Sequence, residues 1–301
     1  MNNNHHSATS AIGSIIDFLI YSSLYRSIGA FCGAALVGTA LGAPFDVAAY
    51  LLPALVSLAG YTFDNLADMR READRVNVSA RSLYFQRHER MSQIFGWGSL
   101  IATIIICLQR SLLLGIFLIA LPVVLSRLYV IGWGKFFPKA KAGRLKDNIF
   151  AKPLIVGLGW GAIQVFAPAF YLNLPFSLWL FLLWGYVSWL RGVNSVINDI
   201  GDVEGDRKSG TRTFPVVYGP RNTVIALAVA QGLSLVWVAS MSGIGWMAQI
   251  ALCIGILFTF GHLYLSTRLP SGRIRSLMRG AQFWVIYLVF LLLQFFSSLF
   301  H

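Results

Sequence analysis

The chain has 301 residues, 56% hydrophobic and only 12% charged, with a mean hydropathy of +0.66 and a formal net charge of +12. Many of its apolar stretches reach the roughly 20 residues that span a bilayer as a helix, which excludes a water-soluble globular domain and predicts an all-α polytopic membrane protein. The positive charge lies in connections between apolar stretches, so it points to topology and anionic membrane lipid as a partner, with no nucleic acid.

Residues 1–21 read as a tail followed by an interfacial or entry helix over 11–21, because Met1–His6 lacks the basic, apolar and small-residue order of a cleaved signal. Nine spans are predicted at about 22–42, 46–64, 93–109, 111–131, 152–171, 176–197, 221–241, 245–265 and 280–299, making residues 22–301 one nine-helix transmembrane domain. Cys32, Cys107 and Cys253 lie inside apolar runs without metal-ligand spacing and read as apolar filler. The Gly157–Gly161 run, GLGWG, lies inside a span and predicts close helix packing rather than a phosphate cradle. His88 and His262 are isolated and read as structural, and Trp and Tyr near span ends read as interface anchors.

The connections after the second, fourth, sixth and eighth spans carry 20 of the 24 Lys and Arg residues. All four lie on one side, which the positive-inside bias makes cytoplasmic, with the N-terminus in and the C-terminus out. Acidic residues share this asymmetry, which topology does not require. Apart from Asp46, all fall on the cytoplasmic side, and most are concentrated in two places. Asp64, Asp68, Glu72 and Asp74 close the second span; Asp199, Asp202, Glu204 and Asp206 close the sixth.

Continuous helices would place Asp64, Asp68 and Glu72 on one face and Asp199, Asp202 and Asp206 on another, with Arg191, Asn194 and Asn198 extending the second stripe into the membrane. The two motifs are about 135 residues and four spans apart. An even shift preserves orientation, so the arrangement reads as a parallel repeat of a four-helix unit plus a ninth helix. One acidic loop with Arg and Lys neighbours is ordinarily a solvated, salt-bridged surface. Two, at equivalent places in a repeat, point to a site.

Several carboxylates at helix C-termini face the negative dipole end and repel one another, and a divalent cation resolves both problems. Mg2+ prefers oxygen ligands and commonly bridges carboxylates to phosphates, so the two clusters with their basic surroundings suit a diphosphate. A transporter or lipid-binding scaffold would need ionisable groups near mid-span or broken helices there, and by sequence the charges stop at the cytoplasmic rim.

The stretch NDIGDVEGDRKSGTRTFPVVYG, residues 198–219, closely resembles the second aspartate-rich motif of the UbiA superfamily of intramembrane prenyltransferases. The resemblance implies nine helices, Asp-rich motifs after the second and sixth, and Mg2+ holding an isoprenyl diphosphate. It makes Asp199, Asp202 and Asp206 metal ligands, with Asp64, Asp68 and Glu72 as their first-motif counterparts. It places Arg207, Lys208 and Arg212 near the phosphates, where Asn194 and Asn198 join the diphosphate-binding set. Segment 144–161 is similar to the family's basic connection before the fifth helix, which brings Lys146 and Lys152 to the diphosphate and gives Asp147 a role toward the acceptor.

The first motif departs from the family pattern. Asp64, Asp68 and Glu72 stand where Asn-Asp-x-x-Asp-x-x-x-Asp is usual, SARSLYFQRH replaces the Arg-Pro-Ile-Pro-Ser-Gly run, and Asp74, Arg75 and Asn77 resemble Asp-Arg-x-Asn in a shifted register. The implied activity is transfer of a prenyl group to a lipophilic, aromatic acceptor. A terpene cyclase that ionises the same diphosphate and closes the chain on itself remains open.

Overall fold

The computed structural model describes residues 13–69, 79–131, 148–208, 210–268 and 273–299, and these are all-helical or in connections. Helix α1 (Gly13–Tyr21) meets α2 (Leu24–Ala40) at a 63° bend. Ser23 makes that bend with φ +66°, a left-handed backbone uncommon for a side chain other than Gly. Its hydroxyl accepts from Asn65 Nδ2 at 3.1 Å and its carbonyl accepts from Ser27 Oγ at 3.1 Å, which holds the turn. There follow α3 (Val47–Asp68), α4 (Ser79–Arg87), α5 (Glu89–Leu108), α6 (Leu112–Ile131), α7 (Ala151–Tyr171) and α8 (Leu178–Gly201). The rest are α9 (Val203–Lys208), α10 (Phe214–Tyr218), α11 (Pro220–Ala239), α12 (Trp246–Arg268) and α13 (Arg273–Leu299).

Every predicted span overlies a long helix. Among the described residues seven are long and apolar enough to cross a membrane, and the bent α1–α2 pair makes an eighth if counted as one span. The apolar part of α6, Leu112–Pro122, is shorter. Helix α4 was not anticipated, because its sequence has no apolar period; it packs Phe85 into a small cluster with Leu66 and Met69 at the end of α3.

The helices are apolar outward and small or polar inward. On α5 the large residues Ile94, Trp97, Ile101, Ile105 and Leu108 are exposed while Ser92, Gly96, Ser99, Thr103 and Cys107 are buried. On α11, Ile225, Val229, Leu233 and Val236 are exposed and Thr223, Gln231 and Ser234 are buried. Water does not permit that arrangement over whole helices, whereas lipid does, and it makes the chain an integral membrane protein.

Hairpins α2–α3 and α7–α8 pack against one another. Helix α5 lies on α3, α6 bridges α5 to α7, α11 packs on α12, and α13 closes the arrangement by packing on both α12 and α2. The α7–α8 seam has backbone-level contact. A Cβ at Gly157 would lie 2.5 Å from the Ser188 carbonyl oxygen, and one at Gly161 would overlap the Ser188 side chain. Gly157 and Gly161 one turn apart on α7, against Ser188 and Gly192 one turn apart on α8, are the small-residue spacing that lets membrane helices approach closely. Asp46, the acidic residue on the far side, is accounted for locally: its carboxylate accepts from Ala48 N at 2.9 Å and Ala49 N at 3.1 Å, capping α3.

Candidate active site

The second acidic motif forms at the end of α8. The helix does not run through it: α8 stops at Gly201, Asp202 occupies the C-cap, and α9 restarts at Val203. This corrects the expectation of one continuous acidic face, and the physical reason is a glycine at the point where the last turn ends. The break is short. Asp202 N–H donates to the Asp199 carbonyl at 3.1 Å and Asp206 N–H to the Asp202 carbonyl at 2.9 Å, so the backbone rewinds at once.

Asp199 is 2% exposed and its carboxylate contacts Lys152 Nζ from the first turn of α7. Asp202 and Asp206 both lie close enough to act electrostatically on Asp199. Asp206 accepts from Thr213 Oγ1 at 3.2 Å. Thr213 is buried and precedes α10, whose Phe214 ring sits 5.0 Å from that of Phe150, next to the start of α7. The motif, the first turn of α7 and α10 therefore form one packed unit. Arg207, Lys208 and Arg212 are exposed around it.

In the first motif α3 continues to Asp68, so Asp64 and Asp68 stand one turn apart on the same helix face. Asp64 is exposed and acts electrostatically on Arg26 at the start of α2. The side chain of Asp68 and all of Glu72, Lys146 and Asp147 lie outside the described residues.

Beneath these motifs lies a polar layer that the sequence analysis did not assemble. Arg26 lies 4.6 Å from the Tyr61 ring centre, and its Nε donates to the Tyr25 hydroxyl at 3.1 Å. Tyr61 stacks on Trp160 with ring centres 5.0 Å apart and planes 12° from parallel. Arg191 Nε donates to Gln164 Oε1 at 2.7 Å and its guanidinium lies 4.4 Å from the Phe283 ring centre. Gln164 Nε2 in turn donates to the Ala30 carbonyl at 3.3 Å, one turn beyond Arg26 on α2.

Charges therefore do not stop at the rim. Arg191 is eight residues before Asp199, about 12 Å along a helix. The available signal was Gln164, an amide in an otherwise apolar span.

Asn194 does not join the rim. Its Nδ2 donates to Gln282 Oε1 and its Oδ1 faces His262 Nδ1 at 3.4 Å, while Gln282 Nε2 donates to Thr259 Oγ1 and to the Gly255 carbonyl. That network binds α8, α12 and α13, and gives His262 the structural role expected of it. Asn198 is different: its Oδ1 is buried without a hydrogen-bond partner, one residue before Asp199.

The donor set at the rim consists of Asp199, Asp202 and Asp206 carboxylates and this orphaned amide oxygen, all hard oxygen ligands suited to Mg2+. Among the described residues no three acidic, histidine or cysteine side chains converge on one point.

The sequence profile of the UbiA prenyltransferase family matches residues 27–287, most of the chain and both motifs. The chain belongs to the UbiA prenyltransferase family. Among relatives of this UbiA-family chain is the chloroplastic 2-acyl-4-prenylphloroglucinol 6-prenyltransferase of Humulus lupulus, 32% identical over 116 residues, 33% of this chain but only 28% of that protein. The digeranylgeranylglyceryl phosphate synthase of Methanococcus vannielii is 26% identical over 73% of each chain. That of Methanopyrus kandleri is 28% identical over 70% of this chain and 75% of its own. In three dimensions the apo structure of a UbiA homolog from Aeropyrum pernix K1 matches with a TM-score of 0.55 and 17% identity, covering 92% of this chain and 98% of that one. At that identity the likeness establishes the UbiA fold.

Proposed function

We propose that this UbiA-family chain transfers a prenyl group from an isoprenyl diphosphate to a lipophilic acceptor, with Mg2+, at a site formed by the ends of α3 and α8. The observation that carries the reading is the packed unit of Asp199, Asp202, Asp206, Lys152 and the orphaned Asn198 oxygen at the end of α8. Residues 1–21 are tail and interfacial helix, and 22–301 one catalytic domain of nine spans. The N-terminus and the motif-bearing connections face the cytoplasm.

Asp199, Asp202, Asp206 and Asn198 would hold Mg2+ from one side, and Asp64, Asp68 and Glu72 from the other. When bound, the ion supplies charge neutralisation of the leaving diphosphate. Lys152, beside Asp199, and the exposed Arg207, Lys208 and Arg212, with Lys146, receive the outer phosphate oxygens. The bond between the allylic carbon and the diphosphate oxygen breaks, the electron pair leaves with the diphosphate, and the acceptor forms the new bond to that carbon while losing a proton. Asp147, to which the family resemblance gives a role toward the acceptor, would take that proton. Aromatic rings beneath the rim exclude water from the reacting carbon. The polar layer at Arg26, Gln164 and Arg191 favours this transferase reading over cyclisation, because a folded hydrocarbon cation needs an apolar contour.

The test is diphosphate release by detergent-purified protein given C10, C15 or C20 allylic diphosphates, with and without Mg2+, and then with a membrane lipid extract as acceptor pool. The expected result is Mg2+-dependent release only when acceptor is present. Hydrocarbon or cyclic alcohol formed without acceptor would replace transferase with cyclase.

A further inference from the structure

The end of the bundle opposite the acidic motifs holds a cation and a groove that prenyl transfer does not use. Arg110, exposed in the turn between α5 and α6, lies 4.9 Å from the ring centre of Tyr171, the last residue of α7. Lys152, in the first turn of that helix, is about 28 Å away along its axis. Among the described Lys and Arg residues Arg110 alone stands at this end, and no described acid pairs with it. Asp46, the acid on this side, is committed to the α3 cap.

Beside that turn α5 and α6 part around a cavity of about 410 Å³. Ile104, Cys107 and Leu108 line it from α5, and Leu112, Gly115 and Ile116 from α6, with no charged or hydroxyl-bearing side chain in its walls. Cys107 and Gly115 make the floor. A Cβ at Gly115 would stand 3.3 Å from the Cys107 Cβ, so neither helix has bulk there to fill the space. The groove faces lipid: α6 turns Leu114 and Leu118 into the core and sets Phe117 6.0 Å from Phe170 of α7, which leaves Leu112 and Ile116 outward, 65% and 52% exposed.

The α6 wall runs from Leu112 to Ala120, about 12 Å along the helix. That fits inside one leaflet, whose share of the hydrocarbon core is about 15 Å. Arg110 is two residues from both Leu108 and Leu112, so its Cα lies within about 7.6 Å of the Cα atoms at the groove's outer end. A guanidinium stacked on a ring keeps its N–H edge for a phosphate. A slot for an apolar chain, ended by an arginine with no acid, is complementary to an amphiphile with an anionic head. A headgroup of net negative charge supplies the missing countercharge, whereas phosphatidylcholine brings its own cation.

We propose that the α5–α6 groove seats one anionic phospholipid of the leaflet at this end, with an acyl chain between the helices and its phosphate on Arg110. The seat is independent of the prenyl-transfer reading.

The experiment reads labelling rather than turnover. Full-length protein is placed in phosphatidylcholine vesicles containing, as a minor component, phosphatidylglycerol or phosphatidylcholine that carries a diazirine on the same acyl chain. After irradiation, mass spectrometry of the digested protein locates the adducts. Residues 104–120 should be labelled about 5-fold more by the phosphatidylglycerol, the preference that one arginine gives near a headgroup. Arg110→Gln should reduce that preference to about 2-fold or less and Arg110→Lys should retain it, with labelling near the basic connections at the other end unchanged in both. Ala120→Phe, which fills the inner end of the groove, should lower labelling by both lipids.

Equal labelling of residues 104–120 by the two lipids in the wild type overturns the inference and leaves the groove to bulk lipid, a comparison that needs no variant to fold. A preference kept in Arg110→Gln overturns it as well. So does protection of the segment in a crosslinked dimer, which would assign the groove to a second copy of the chain.

Discussion

Hairpins α2–α3 and α7–α8 occupy corresponding places in the two halves of the chain, and each puts a cation in the first turn of one helix near a carboxylate in the last turn or so of the other. In α7–α8 the cation is spent on that carboxylate, Lys152 directly against Asp199. In α2–α3 Arg26 turns to the rings of Tyr25 and Tyr61, and Asp64 acts on it without a direct ion pair. The seams differ too: bare backbone contact at Gly157 and Gly161 in one, and in the other Tyr50 filling the space a side chain at Gly38 would need. One half pairs its cation directly with a motif carboxylate, while the other lays its cation on aromatic rings.

The comparison can be sharpened first at its closed half. Lys152→Met removes the counter-cation of Asp199 and a phosphate contact together, and should lower kcat/KM for the allylic diphosphate about 10- to 100-fold, chiefly through KM. Steady-state kinetics across donor concentrations check it, and an unchanged KM would mean that Lys152 serves only the fold.

A smaller effect is expected at the seam. Gly157→Leu pushes a side chain into the Ser188 carbonyl and should cost about 1–3 kcal/mol, read as a lowered unfolding midpoint in detergent. Gly98→Ala, on α5 with open space around it, is the control and should not lower that midpoint. The smallest effect belongs to the α3 cap. Asp46→Ala should cost about 1 kcal/mol of stability, visible in the same melt, with diphosphate turnover in the folded protein unaltered.

The exterior of this molecule was legible in its sequence because lipid imposes one requirement, long apolar helices, that composition reports directly. The nine predicted spans each overlie a helix, and the Gly157–Gly161 run makes the close contact it suggested. The second motif was legible because its four acids fall between residues 199 and 206 and its pattern is specific. Its local shape was not, since helical spacing assumed continuity across Gly201, where the backbone breaks.

The interior was less legible. Arg26 and Arg191 lie 165 residues apart in sequence and each resembles an ordinary topology marker at a span end. Only the crossing of α2, α7 and α8 through Gln164 brings them to one level. Likewise Asn194 belongs to the acidic stripe by spacing but to a structural amide network by contact, because Gln282 arrives from the last helix.

The most direct test of a site shared by both halves is diphosphate release measured on Asp64→Ala and Asp202→Ala side by side, in membranes where each accumulates as the wild type does. Both should fall at least about 100-fold, with melting midpoints close to wild type, because each removes an oxygen ligand from the same metal-diphosphate site. Near-normal release from either variant would contradict the shared site and confine the chemistry to the other half.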